Sequence, residues 1–298
     1  MSINRGCPIC TSNMSSRPYA DAKINVSQLD KFAFASRKTP ELMHHRLVLC
    51  TRCDIIYANP APDLVSLQQA YVEASFDTSN ESHFAARTYA GVLDSFLSQL
   101  PDKEGALDVG TGDGAFLEEL LKRGFSNVAG IEPSEAPIRL ANNEVRPLIR
   151  KEFFRAELFH SASQSLLTCF QTLEHVPDPA GTCREAFRLL KSGGAIFVVC
   201  HNRHALINRI LGKKSPIFNL EHLQLFSPAS IRLLLQTSGF ANIRIMGLTN
   251  RYPLRYWLRL LPLGRTARTT VLRWVERLGI AEKPVSLHVG NLAAIGFK

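Results

Sequence analysis

Two stretches of this sequence set a carboxylate directly beside an imidazole: "QTLEHVPDP" at 171–179 and "NLEHLQLFSP" at 219–228. Such pairs serve as acid–base groups, as metal ligands, or only as polar residues at the ends of strands. His175 follows an apolar run and reads as a pocket residue. His222 lies in a loop ahead of a helix that Ser227 caps, and it reads as the better base, since an imidazole near its ordinary pKa of ~6.5 accepts a proton at neutral pH. His201 and Asn202, just past another apolar run, are further pocket candidates. The plainer alternative is that both histidines are hydrogen-bonded loop residues, that Glu174 caps nearby backbone, and that Asp178-Pro179 opens a helix.

A second constellation is built from thiols. Cys7-x-x-Cys10 and Cys50-x-x-Cys53 supply four ligands for a tetrahedral structural zinc, which leaves no open position for chemistry. The 39 residues between the pairs exceed the usual ~15–20, so a loop or hairpin must fill the gap. Coincidental matches or a redox dithiol are the competing readings. Cys169, Cys183 and Cys200 sit in apolar segments and read as core thiols of a reducing compartment.

The third is the loop in "ALDVGTGDGAFLEELLKRG", a strand, a glycine turn and a helix start, with Glu132 ending the next strand. Gly110-x-Gly112-x-x-Ala115 also satisfies a dinucleotide fingerprint, with Glu132 about ~20 residues on. Charge separates the readings: Asp108 and Asp113 flank the glycines and would repel a pyrophosphate. A cofactor with ammonium and sulfonium groups suits the loop, and Glu132 can accept both hydroxyls of a ribose.

These residues need a frame. From about 81 to 248, strand-like runs ("GALDVG", "NVAGIEP", "LLTCF", "GAIFVV", "NIRIMGL") alternate with helical patterns, which predicts an α/β fold with a largely parallel sheet. Residues 1–60, closed by the Pro cluster in "ANPAPD", form a separate small element, and 61–298 the main domain. Within the latter, about 250–285 reads as a helical basic insertion before a last strand in "VSLHVGNLAAIGFK". Its Leu254, Trp257, Leu258 and Leu261 share a helical face, while Arg251, Arg255 and Arg259 form a stripe.

The 298 residues, 45% hydrophobic and 20% charged, suffice for one large core with an appendage. No apolar run approaches the ~20 residues of a membrane span, and a cytoplasmic location is expected. Of the net charge of +9, residues 251–283 carry +6, so contacts with phosphate or anionic lipid are expected there.

In this order and spacing, "LDVGTGDGAF", "GIEPSE", "QTLEHVPDP" and "LLKSGGAIFVV" resemble the successive motifs of class I S-adenosylmethionine (SAM)-dependent methyltransferases, over roughly residues 85–248. The resemblance implies a Rossmann-like, mostly parallel sheet of seven strands with the cofactor across the strand ends. Asp108, Gly110, Thr111, Gly112 and Gly114 would then line the methionine end. Glu132 would hold the ribose, Pro133 would abut the adenine, and Gln171, Thr172 and Leu173 would lie beneath the sulfonium. Ser165 stands where this family usually has an aspartate. "LEHVPDP" is similar to a segment of ubiquinone-pathway O-methyltransferases that can hold a divalent ion, but Gln171 replaces the first glutamate, and an amide is a poorer ligand.

The cysteine block also resembles the four-cysteine element ahead of certain sugar and small-molecule methyltransferases. Three functions follow as expectations. The first is methyl transfer to an oxygen or nitrogen of a small molecule, sugar or glycan precursor. The second is RNA methylation through the zinc element and the basic segment, although stacking aromatics there are few. The third is a SAM-binding module without catalysis. Peripheral membrane contact through 251–283 is a further expectation, weighed against a lid over the acceptor pocket. Oligomeric state is not legible.

Overall fold

Residues 2–12, 15–25, 42–76, 79–261, 263–288 and 290–298 are described by the computed structural model. The chain opens with short strands, β1 (Ser2–Ile3), β2 (Ser16–Ala20), β3 (Leu47–Cys50), β4 (Ile56–Ala58) and β5 (Ala61–Pro62), followed by helices α1 (Leu64–Val72) and α2 (Ser79–Asp94). Strand–helix alternation then begins: β6 (Glu104–Val109), α3 (Ala115–Lys122), β7 (Ser126–Ile131), α4 (Glu135–Leu140), β8 (Ile149–Arg150), β9 (Gln164–Phe170), α5 (Pro179–Leu189) and β10 (Leu190–His201). After α6 (Leu206–Leu211), β11 (Gln224–Leu225), α7 (Pro228–Thr237) and β12 (Ala241–Gly247) comes an excursion. It consists of β13 (Asn250–Pro253), α8 (Leu254–Leu260), α9 (Arg265–Arg277) and β14 (Pro284–Leu287), and β15 (Asn291–Phe297) ends the fold.

The main sheet has seven strands in the order β12-β15-β10-β9-β6-β7-β8. Only β15 runs against its neighbours, as an antiparallel partner of both β10 and β12. The expected Rossmann-like, mostly parallel α/β sheet is therefore present, with the last strand returning into it. Its centre is apolar on both faces because helices cover both. Along β10 the alternation is clean: Ile196, Val198 and Cys200 enter one core cluster, and Ala195, Phe197 and Val199 the other. Full burial of each such Val, Ile or Phe stabilises by roughly 1.5–3 kcal/mol, so these two layers dominate the packing. Cys169, Cys183 and Cys200 lie within the first cluster as core thiols, and burial pushes the Cys183 thiol up to about 12.

β6 pairs with β7 on one side and with β9 on the other. The chain order thus reverses between β6 and β9, and the crevice beyond the carboxyl ends of these strands is where open α/β sheets bind ligands. At the opposite end of β9, the hydroxyl of Ser165 donates to the Asp102 carboxylate and to Glu104 O, the latter at 2.8 Å. A carboxylate from a neighbouring loop therefore meets Ser165, where an aspartate is expected from the resemblance.

The cysteine block is joined to the main domain by a sheet rather than a tether. β2, β3 and β4 form an antiparallel set extended by β11, which lies between β10 and α7 in the chain. The expected hairpin between the cysteine pairs corresponds to β2 and β3, and residues 26–41 of its connection lie outside the described residues.

In the insertion, β13 and β14 form a ribbon that carries α8 and α9. Trp257 is buried and its indole N–H donates to Val285 O at 2.9 Å. Two arginines of the basic stripe face acidic groups: Arg255 pairs with Glu282, and Arg259 lies 3.7 Å from Glu81 on α2. β13 packs on α2, whose Tyr89 ring lies 4.7 Å from that of Phe170 at the end of β9, which brings the insertion near the cofactor end of β9. Among the described residues no helix is long and apolar enough to cross a membrane.

Candidate active site

The glycine loop leaves β6 and turns back on β7, with the N–H groups of Gly110 and Thr111 donating to Ile131 O at 2.9 and 3.0 Å. Gly110, Gly112 and Gly114 all have positive φ, at 77°, 58° and 74°. Gly110 is further constrained, because a Cβ there would lie 2.2 Å from the Thr172 hydroxyl of the loop after β9. Gly110→Ala is therefore expected to destabilise the protein by at least ~2 kcal/mol, from the left-handed backbone and the clash together. Thermal unfolding should show a fall of roughly 4–8 °C; an unchanged midpoint would contradict this packing. Around Gly112, in contrast, space is open.

Glu132 ends β7 with both oxygens aimed by backbone: Oε2 accepts from Gly112 N–H at 3.1 Å and Oε1 from Ser134 N–H at 2.8 Å. Each oxygen keeps a lone pair for a further donor. The side chain is partly open to solvent yet deep among protein atoms, as at the floor of a cleft. Loss of hydration, followed in effect by the nearby Asp108 and Asp113, pushes its carboxyl up to about 7. Asp108 is fully buried, accepts from Thr168 Oγ1 at 2.6 Å, and is pushed up to about 6, again by burial. Asp113 accepts from Ser82 Oγ at 2.8 Å and so ties α2 to the loop.

Beyond β9, Gln171 adopts φ 51°, uncommon for a residue with a side chain, and its buried Oε1 has no hydrogen-bond partner among the described residues. Thr172 donates to Phe170 O at 2.9 Å, and Leu173 is buried beneath it. Pro133 follows Glu132, half-buried. The open space at Gly112, the spare lone pairs of Glu132 and the orphaned Gln171 acceptor fit a ligand bearing hydroxyl and ammonium donors.

The two Glu-His stretches meet. Leu223 N–H and Gln224 N–H both donate to Glu174 O, at 2.8 and 3.2 Å, while the Gln224 amide donates to Leu173 O and Val176 O at 2.6 and 2.7 Å. Arg5 of the cysteine block reaches into the same seam, donating to Ala58 O, Pro177 O and Leu223 O at 3.0, 2.9 and 2.8 Å. As a result the rings of His175 and His222 lie 4.9 Å apart and those of His201 and His222 5.0 Å apart.

The tautomers are set by partners. His222 Nδ1–H donates to Ile217 O at 2.8 Å, which leaves Nε2 with its lone pair. His201 is held by Glu174, whose Oε1 accepts from both its backbone N–H at 2.6 Å and its Nδ1–H at 3.1 Å. Burial above all, reinforced by neighbouring imidazoles, lowers His222 well below its ordinary pKa and His175 to about 4, so both are neutral at pH 7.

The sulfurs of Cys7, Cys10, Cys50 and Cys53 lie within 4.8 Å of one another, with Cys7–Cys53 at 3.3 Å and Cys10–Cys50 at 3.6 Å. A zinc with Zn–S bonds of ~2.3 Å needs sulfurs about 3.8 Å apart, so the set fits one tetrahedral ion.

All the residues expected to bind the cofactor therefore converge on the ends of β6, β7 and β9, and His175, His201 and His222 form one cluster beside them. Glu174 does hold backbone, as the plainer reading had it, and Asp178 caps α5 by accepting from Gly181 N–H at 2.8 Å. Sequence reasoning missed Tyr71, whose hydroxyl lies 3.0 Å from His175 Nδ1 across 104 residues of chain. It also missed Arg5. Neither residue carries a local signal, because their roles arise only from long-range packing.

Residues 82–245, more than half of the chain, match the family model described as "Methyltransferase domain". A ubiquinone biosynthesis O-methyltransferase of Pseudomonas fluorescens is 30% identical over 156 residues, 48% of this chain and 67% of that protein. Its namesake from Pseudomonas aeruginosa is 35% identical over 104 residues, 33% and 44% of the two chains. Among solved structures, the YcgJ protein of Bacillus subtilis shares the fold, with a TM-score of 0.50 and 15% identity over 71% of this chain and 98% of that one. The strand order, the cleft beside the glycine loop and the matched domain agree: the chain belongs to the methyltransferase domain family and is a class I SAM-dependent methyltransferase.

Proposed function

We propose that this enzyme methylates an oxygen of a small-molecule acceptor, with Asp108, Gly110, Thr111, Gly112, Gly114, Glu132, Pro133, Gln171, Thr172 and Leu173 binding SAM, and His175 and His222 meeting the acceptor. The reading rests on one observation: three imidazoles gather beside the cofactor cleft, and one of them, His222, keeps a free ring nitrogen. When bound, SAM supplies a methyl carbon already activated by its sulfonium. What remains for the protein is to align the acceptor and receive its proton, and a neutral imidazole with one nitrogen free can do so. The Pseudomonas relatives are named O-methyltransferases, which favours a hydroxyl as the acceptor, and a nitrogen acceptor is the alternative. The test is transfer of labelled methyl from SAM into fractionated small-molecule extract. Label entering only RNA, or no fraction at all, would overturn the reading.

Residues 1–60 serve in this proposal as a brace that depends on structural zinc. Arg5 and β4 hold the loop carrying His222, so losing the ion should loosen the acceptor side without touching the chemistry directly. Elemental analysis should find one zinc per chain, and Cys50→Ser should lose it. That variant should also show turnover reduced ~10-fold or more, with cofactor affinity retained. Full turnover without zinc would remove the brace from the proposal.

A further inference from the structure

Helix α6 turns its apolar residues outward. Leu206 and Ile210 are 73% and 70% exposed, while the buried residue of the helix is Asn208. A buried carboxamide is costly unless both its donor and its acceptor find partners, and here both do. Asn208 Nδ2 donates to Asn202 O at 2.8 Å, and Oδ1 accepts from the Ser215 hydroxyl at 2.7 Å. Asn202 follows His201 at the end of β10, and Ser215 opens the loop that carries His222. We propose that Asn208 is a positioning residue for His222: it clamps the two loops together and, through Ser215 and Ile217, holds the ring in the tautomer that leaves Nε2 free. The inference rests on the proposed role of His222 at the acceptor, and it specifies how that ring is aimed.

The clamp runs bond by bond. Ser215 is fully buried and fixes the turn after it twice: its Oγ accepts from Ile217 N–H at 3.4 Å, and its backbone O from Phe218 N–H at 3.1 Å. Ile217 O in turn accepts the Nδ1–H of His222 at 2.8 Å. A neutral histidine in water prefers its other tautomer, so the form with Nε2 free depends on this carbonyl staying in place. At the far end of the clamp, Asn202 N–H donates to Gly290 O at 2.7 Å, where the chain returns from the insertion to β15. Gly290 has φ 89°, and a Cβ there would lie 2.9 Å from Asn208 Nδ2, so glycine at this return leaves room for the carboxamide.

Asn208, Ser215, Ile217 and His222 are all buried, so a partner lost anywhere along the chain of bonds is not replaced by bulk water. The effect of Asn208 passes through His222, whose ring lies 5.0 Å from that of His201. An apolar residue at 208 would suit the packing of α6 and would cut the chain of bonds at its origin.

The test uses the full-length protein carrying ¹⁵N-labelled histidine. Long-range proton–nitrogen correlation spectra report which ring nitrogen bears the proton, and the His222 signals are those that vanish in His222→Asn. The parent should show His222 protonated at Nδ1 and bare at Nε2. Asn208→Ala and Ser215→Ala should each move the proton wholly or partly to Nε2. Turnover should fall ~10- to 100-fold, as when a reacting group is misplaced by up to ~1 Å, with S-adenosylhomocysteine affinity unchanged. The double variant should be no worse than either alone, since both cut one chain of bonds. Asn208→Leu, which fills the space without polar atoms, gives the same reading if alanine impairs folding, and Asn208→Asp, which keeps the acceptor for Ser215, should retain the parent tautomer. A parent with the proton on Nε2, or an Nδ1–H signal unchanged in the Asn208→Ala, Asn208→Leu and Ser215→Ala variants, would overturn the clamp. A fall in melting temperature alone would not rescue it, because a merely structural role lowers stability without moving the proton. The spectra need no acceptor, so they leave the role of His222 to be decided separately by the labelled-methyl experiment and the turnover of His222→Asn.

Discussion

Glu132→Ala is expected to weaken S-adenosylhomocysteine binding by ~100-fold in calorimetry while leaving the fold intact. Its two oxygens, each aimed by one backbone N–H, would accept the two ribose hydroxyls, and hydrogen bonds to a charged group contribute about 1.5–3 kcal/mol each. Even the lower figure, counted twice, gives about two decades. Glu132→Gln should be nearly as damaging, because its NH₂ must face the N–H of either Gly112 or Ser134. The same site predicts a pH dependence. In the cofactor-free protein Glu132 titrates near 7 and Asp108 near 6, both raised by burial, so affinity should fall as pH drops from 8 to 5.5. The sign for stability is opposite. A carboxyl that holds its proton more tightly folded than unfolded makes the cofactor-free protein lose stability as pH rises through about 4.5 to 7. Affinity flat across this range, or unaffected by Glu132→Ala, would remove Glu132 from the cofactor site.

The cofactor half was legible in the sequence because its determinants are local. Glycines at fixed offsets after an apolar run, with an acid ending the next run, specify a turn whose geometry hardly depends on the rest of the chain. The cysteine pairs were legible for the same reason, since two C-x-x-C turns present four sulfurs whatever lies between them. The acceptor half was not. The convergence of His175 with Glu221 and His222 depends on Gln224 bridging to Leu173 and Val176 and on Arg5 joining the same seam, contacts across 48 to 219 residues. Pattern alone could only place two Glu-His pairs in two loops, and it paired each glutamate with its adjacent histidine. The basic stripe shows the same limit. Spacing puts Arg255 and Arg259 on one helical face, but only tertiary structure reveals Glu282 and Glu81 opposite them.

Replacing His222 should separate chemistry from binding more sharply than any other single change. His222→Ala is expected to lower turnover by ~10²–10⁴-fold, the usual range for losing a group that activates the nucleophile, with S-adenosylhomocysteine affinity unchanged. Alanine also removes the Nδ1–H···Ile217 bond, so a structural role would mimic part of that loss. His222→Asn resolves the ambiguity: its amide N–H can still donate to Ile217 O, but nothing stands where Nε2 was. If the free nitrogen acts on the acceptor, asparagine should be as inactive as alanine. If the ring only braces the loop, asparagine should restore turnover to near the parent value, and His222 would lose its place in the reaction. Acidification gives a second check. His222 lies well below its ordinary pKa and His175 near 4, so neither should cause a fall in turnover between pH 8 and 6 at saturating cofactor. A fall in that range that survives cofactor saturation but vanishes in His222→Asn would show that the imidazole protonates near neutrality, contrary to its buried, uncharged setting.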